Sequence, residues 1–344
     1  VNGMSALFLA CNRGKRSIAV DAHTTEGRDI VRALALRSDV VVQNFRPGVV
    51  ERLGLGYDDL RVDRDDLVYV SLSGFGSVGP YADKSAYDTV IQAYGGFASN
   101  QADPATGEPV FLRQTAADKV TALTASQAIT AALLARERGA GGQHLQLSML
   151  DAVVSFLWAD AAGNEVLLDN DHTQASSFVA TFRPLRFTDG WGIATPTSDA
   201  DFAGICRAFG VDGYDDPRVA TIGERVKHRA LTSQIVERYY AAAATMSTAD
   251  AMAKLDAQRV PCSVIVAPAD LPDDVHARAI GLFVDREHPV AGHTRLPRHP
   301  TQFGVTPAVL GGPAPALGEH TDAVLAELGL GERGKALRAA GVVA

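Results

Sequence analysis

Ser38-Asp39-Val40-Val41-Val42-Gln43-Asn44-Phe45-Arg46-Pro47-Gly48 is the stretch whose reading decides the fold. Val40-Val41-Val42 is a continuous apolar run, the pattern of a strand buried on both faces. The turn Arg46-Pro47-Gly48 ends it, and a short helix is expected near Val49–Leu53. Upstream, Ser17-Ile18-Ala19-Val20 reads as a strand. Thr25 to Arg37 then reads as a helix, with Thr25 as its cap and Ile30, Val31 and Leu34 as its apolar stripe. Downstream, Leu67-Val68-Tyr69-Val70-Ser71-Leu72 reads as the next strand. This β-α-β-α-β rhythm predicts an α/β fold with a Rossmann-like parallel sheet and right-handed crossovers. An Ala-rich helix is expected from about Ala116 to Arg136, closed by the glycines between 139 and 142. The strand Gln143–Leu147 follows, and a second long helix begins at Asp151 and runs through Trp158.

From Asp169 to Ser198 the sequence turns polar and Gly/Thr-containing, which marks a domain junction. Residues 199–285 form a second αβ region, with helices near Ala200–Phe209 and Arg225–Ala244 and the strand Ser263-Val264-Ile265-Val266. Pro289 to Pro315 reads as an extended connection, and Thr321 to Ala340 as a helical tail.

Composition narrows the class. The 344 residues are 47% hydrophobic and 21% charged, an ordinary globular balance. Thirty-two Lys+Arg against 40 Asp+Glu leave a formal net charge of −8, which recommends neither nucleic acid nor an anionic membrane as partner. No run approaches the ~20 apolar residues of a bilayer span. The start, Val1-Asn2-Gly3-Met4, has no signal-peptide pattern. Cys11, Cys206 and Cys262 lie too far apart for CxxC chemistry, and the histidines form no HxxxH or HExxH pair, so no metal site is expected. A soluble, cytoplasmic, two-domain protein is the expectation. The chain opens on Val1 and enters the apolar run Ala6–Ala10 almost at once, so a leading segment is expected before it.

Three motifs carry chemistry. Gly74-Phe75-Gly76-Ser77-Val78-Gly79 matches GxGxxG after a strand, but Pro80-Tyr81-Ala82-Asp83 follows and helical periodicity resumes only near Tyr87. A dinucleotide site needs a helix opening at the third glycine, so the motif reads as a glycine-rich turn. Asn12–Ser17 places Arg13, Lys15 and Arg16 before one strand, and Asn44–Gly48 with Arg52 places two more cations after the next. Cations at strand ends suit phosphate, though solvated loop charge has the same appearance. Ser148-Met149-Leu150-Asp151 fits a capping box. Asp151 either satisfies the helix N-terminus or, held anionic there and partly desolvated, serves as a nucleophile.

In combination these segments resemble the class III coenzyme A-transferases, the family that includes formyl-CoA transferase and, as a mechanistic cousin, α-methylacyl-CoA racemase. The match runs through Asn12–Ser17, Ser38–Gly48, Ser73–Tyr81, Tyr87–Gly96, Ala131–Asp151 and Gly318–Leu328. The resemblance implies a large CoA-binding domain (1–185), a small α+β domain (190–290) and a returning linker and tail (291–344), built as an intertwined homodimer. It assigns the catalytic aspartate to Asp151 and places Lys15, Arg16, Asn44, Phe45, Arg46, Arg52, Lys84 and Tyr87 around coenzyme A, with Tyr87 beside the thioester. It implies an acyl-CoA and a carboxylic acid as substrates, exchanged through an aspartyl anhydride and an aspartyl-CoA thioester.

The racemase branch pairs its aspartate with a histidine. Here the matching place reads Ala86-Tyr87-Asp88, and a tyrosine with pKa near 10 is a poor proton carrier at neutrality, which favours transfer. A third alternative is a catalytically silent acyl-CoA-binding homologue. The resemblance implies a further βα unit at the family's start, and this sequence is expected to begin after it. Gly190-Trp191-Gly192 is too sparse to be the glycine-rich flap of formyl-CoA transferase. Residues between Phe178 and Thr197 are expected to line the acyl pocket.

Overall fold

The computed structural model describes residues 3–166, 168–169 and 182–344. The chain falls into two compact units, residues 1–174 with 285–344, and residues 175–284.

In the first unit, strands β1 (Val40–Gln43), β2 (Val68–Ser73) and β3 (Gln143–Ser148) form a parallel sheet in the order β1-β2-β3. Val40 pairs with Val68, and Val68 with Gln143. Gly142 makes the second pairing close, because a Cβ there would lie 2.4 Å from Leu67 O. Helix α1 (Thr25–Arg37) is capped by Thr24, one residue before the expected position, whose hydroxyl accepts the Gly27 N–H. Helix α2 (Val49–Arg52) follows the glycine turn at Gly48. Helix α3 (Asp88–Tyr94), α4 (Ala116–Ala135) and α5 (Met149–Ala161) pack together, and α4 also lies against β2 and β3. Ile91, Phe97, Ala117 and Val153 form the core beneath them.

Four sequence expectations are corrected. Burial on both faces belongs to β2, where Val68, Tyr69 and Val70 are sealed, and not to β1, where Val42 is 53% exposed. β1 pairs only with β2 in this sheet, so it is an edge. Ser17–Val20 makes a single antiparallel bridge, Val20 to Val343, in place of a sheet strand. Its backbone groups are taken by the C-terminal tail: Ser17 O accepts the His320 N–H, and Ala19 O accepts the Ala344 N–H. The stretch read as an extended connection contains the second strand of a two-stranded ribbon, β8 (Gly292–Pro297), which pairs with β7 (Phe283–His288) just before it and in which Arg295 forks onto Asp285. The tail is two short helices, Thr321–Glu327 and Gly334–Ala339, separated at Gly329, whose φ of 77° ends the first.

The second unit is α+β. Strands β4 (Leu185–Arg186), β5 (Trp191–Ala194) and β6 (Cys262–Val264) pair antiparallel. Helices Asp199–Ala208, Arg229–Ala243 and Thr248–Ala257 enclose a core of Phe187, Phe202, Ile205, Ile235 and Leu255.

Candidate active site

Parallel sheets leave a crevice beyond the carboxyl ends of their strands, where loops diverge. Two adjoining hollows, of about 230 and 210 Å³, open there in the first unit. The first is lined by Gln43, Glu51, Ser71, His144, Ser148 and Asp151 among others, the second by Asn44, Arg46, Ser73, Lys84 and Tyr87 among others. Phe45 and Pro47 line both, so the Asn44–Pro47 loop divides them.

The glycine-rich turn closes one side. Gly76 and Gly79 adopt φ of 96° and 91°, and no helix starts until α3, which agrees with a turn and not a dinucleotide loop. Gly74 lies so close to Ala86 that a Cβ on it would be 2.3 Å from the Ala86 Cβ. That approach draws Ala86 and Tyr87 across the end of β2. The Lys84 ammonium is held over the rings of Tyr81, Phe75 and Tyr94, at 4.7, 5.3 and 6.0 Å from their centroids.

Asp151 stands in the first turn of α5. Ser148, the N-cap, accepts the Asp151 N–H at 2.9 Å and donates its hydroxyl to Asp151 Oδ2 at 2.6 Å. The carboxylate is exposed at the rim of the first hollow. The structure thus brings Asp151, Asn44, Phe45, Arg46, Lys84 and Tyr87 to these two hollows. Lys15, Arg16 and Arg52 line neither of them. Lys15 Nζ donates to Asn12 Oδ1, Arg16 forks onto Glu327 with two 3.0 Å bonds, and Arg52 folds back over Gly48.

Sequence reasoning missed two groups. Across the sheet, Gln43 Nε2 donates to Ser71 Oγ at 3.0 Å, and Ser71 Oγ lies 2.8 Å from His144 Nε2. His144 stacks on Tyr57 with its centroid 4.9 Å away, and burial lowers its pKa, so the ring is held neutral. The second group is Asp118, in the first turn of α4. Its carboxyl reaches solvent, yet partial burial and the Asp88 charge raise its pKa. It is the one carboxylate among the described residues whose pKa is shifted upward. The backbone N–H of Asp118 donates to Asp88 Oδ2 at 3.0 Å, and Asp88 follows Tyr87 directly. Sequence offered one signal, an acidic residue in the first turn of the Ala-rich helix. Its closeness to Asp88 is a tertiary fact.

Among the described residues no group of three or more His, Cys, Asp or Glu side chains could hold a metal ion. No described helix is long and apolar enough to cross a membrane. A crevice at the ends of a parallel sheet, with carboxylates, amide and hydroxyl donors and a lysine around it, suits covalent acyl chemistry. The family profile of "CoA-transferase family III" matches residues 1–321.

The chain belongs to that family.

A succinate–glutarate CoA-transferase of Agrobacterium fabrum is 34% identical over 96% of this chain and 83% of its own length. A formyl-CoA:oxalate CoA-transferase of Streptomyces avermitilis is 30% identical over 98% of this chain and 87% of its own. The crystal structure of a CaiB/BaiF family protein from Brucella suis superimposes with a TM-score of 0.78 at 33% identity, covering 95% of this chain and 86% of that one. Family III CoA-transferases use CoA thioesters, so the substrates of this chain are acyl-CoA and carboxylate. Of the residues expected to line the acyl pocket, 178–181 lie outside the described residues, and 182–197 belong to the second unit.

Proposed function

We propose that this chain is a cytoplasmic, homodimeric CoA-transferase that moves CoA between an acyl-CoA and a carboxylic acid through a covalent aspartyl intermediate. The aspartate attacks the thioester carbonyl, and the C–S bond breaks to release CoA thiolate and leave a mixed anhydride. The thiolate then attacks the aspartyl carbonyl, expelling the donor's carboxylate and leaving an aspartyl-CoA thioester. The acceptor carboxylate reverses both steps. No net redox change or water is involved, and each displacement exchanges groups of similar energy.

The resemblance assigns the nucleophile to Asp151, which lines the first hollow. A second reading assigns it to Asp118, and one observation favours it: Asp118 is the carboxylate whose pKa is raised, by burial and by Asp88. Partial burial and the Asp88 charge make the Asp118 carboxylate more basic than an ordinary aspartate, which favours attack on a thioester, whereas the Asp151 carboxylate is engaged by the Ser148 hydroxyl. Asp118 also begins a helix, where backbone N–H groups can receive a developing oxyanion. We therefore place the nucleophile at Asp118 and give Asp151 the role of fastening α5. Asn44, Phe45, Arg46, Lys84 and Tyr87 line the crevice in which the CoA thioester end would lie.

Transfer assays with succinyl-CoA and glutarate, and with formyl-CoA and oxalate, test this. Asp118→Ala is expected to lose transfer by about a thousandfold or more, while Asp151→Ala keeps measurable turnover. The opposite result returns the role to Asp151. Solvent deuterium entering the α-carbon of a branched acyl-CoA, without any transfer, would indicate the racemase branch.

A further inference from the structure

Asp88 and Gln92 are two of the few polar side chains buried among the described residues, at 7% and 0% exposure, and neither touches the thioester in the chemistry above. Asp88 opens α3, and Gln92 lies one turn further on. Gln92 Nε2 donates to Asp88 Oδ1, to Leu112 O at 3.3 Å and to Gln114 O at 3.0 Å, and Gln92 Oε1 accepts the Leu112 N–H at 3.0 Å. The other oxygen of Asp88 accepts the Asp118 N–H.

The first turn of α4 explains why this matters. A helix leaves its first N–H groups without intrahelical partners, and the N-cap side chain ordinarily satisfies one of them. Thr115, the N-cap of α4, makes no such bond. The N–H of the third helical residue is instead taken by a carboxylate from another helix. Gln92 meanwhile pins the segment 112–114 that leads into that turn.

We infer that Asp88 and Gln92 form a buried clamp that positions Asp118 for attack on the thioester, with Asp88 also supplying the negative charge that keeps Asp118 reactive. This rests on the assignment of the nucleophile to Asp118. Asp88 and Gln92 are positioning residues: they touch the backbone of the reacting residue and of the segment before it, not the thioester. The helices and strands packed on α4 carry other titratable groups, namely Tyr94 on α3, Asp151 and Asp160 on α5, Tyr69 on β2 and His144 on β3. Of all these, Asp88 is the group whose charge acts on Asp118, and it acts in the same direction as burial.

The test is the rate at which the full chain forms an adduct with succinyl-CoA, followed by mass spectrometry across pH. In the wild type the rate should fall on the acid side with a midpoint above the ordinary aspartate value of 3.8. Asp88→Asn keeps an oxygen able to cap α4 and removes the charge, so the midpoint should move down toward the ordinary aspartate value. Gln92→Met keeps the charge and releases segment 112–114. Its rate should fall about tenfold with the midpoint unmoved. A purely structural cap predicts lower melting temperatures for both variants with unchanged rate and midpoint per folded molecule, and that result overturns the clamp. If only one variant folds, its own readout decides. If neither folds, the wild-type profile decides, and a midpoint at 3.8 overturns the proposal. Adducts that map away from Asp118 in the wild type refute the nucleophile assignment itself. Adducts on Asp118 with unaffected variants refute the clamp alone.

Discussion

At the scale of single residues, the two carboxylates at helix starts differ in what surrounds them. Asp151 receives a hydroxyl from Ser148 and shares that serine as its cap. Ser148→Ala should therefore cost about 1 kcal/mol of stability, read from urea unfolding, and leave adduct formation nearly unchanged. Large loss of adduct with unchanged stability would mean that Ser148 and Asp151 act chemically. His144 makes a pH-dependent contribution. Its folded pKa lies below the unfolded value of 6.5, so the native state binds fewer protons than the unfolded chain as pH falls through that value. The stability it supports is complete above about pH 6.5 and lost below it. Melting temperatures should decline between pH 7.5 and 5.5, and His144→Asn should shrink that decline. An equal decline in the variant would remove His144 as its source.

At the scale of elements, close approaches set the crevice. Gly74→Ala would place a methyl carbon within the space of Ala86, so the Ala86-Tyr87 segment must move away from β2. A cost of about 1–3 kcal/mol is expected in unfolding, together with a raised KM for acyl-CoA. An unchanged KM would show that Tyr87 does not depend on this contact. The strands and long helices were legible in the sequence because their apolar periods are local: α1, β2, β3, α4 and the helix carrying Asp151 stand near the expected bounds. The Ser17–Val20 run was misread for the reverse reason. Its β-prone residues bond to the tail some 300 positions away, which no local pattern encodes. Strand β8 hid among prolines and glycines that also mark loops. The site was partly legible: Asn44, Phe45, Arg46, Lys84 and Tyr87 do gather in one hollow. The closeness of Asp118 and Asp88 was not, since thirty residues separate them and their contact arises only when α3 and α4 pack.

At the scale of the whole molecule, the first unit is closed by its two distant ends. Ile30, Leu325, Leu337, Val342 and Val343 form one buried cluster, with Ile18 and Val20 packed on it. Leu325→Ala should cost about 2–5 kcal/mol in urea unfolding of this unit. A cost within experimental error would show that the tail is not a structural closure. Membership of CoA-transferase family III accounts for the parallel sheet, the crevice at its strand ends and the carboxylates around it. In the proposed mechanism acyl transfer passes through Asp118. The most direct measurement is intact-mass spectrometry after incubation with succinyl-CoA, followed by tryptic mapping. Cleavage after Arg113 and Lys119 isolates Asp118 from Asp151, which lies on a separate peptide. A covalent succinyl or CoA adduct is expected on the peptide 114–119. An adduct confined to the peptide that holds Asp151 would contradict it.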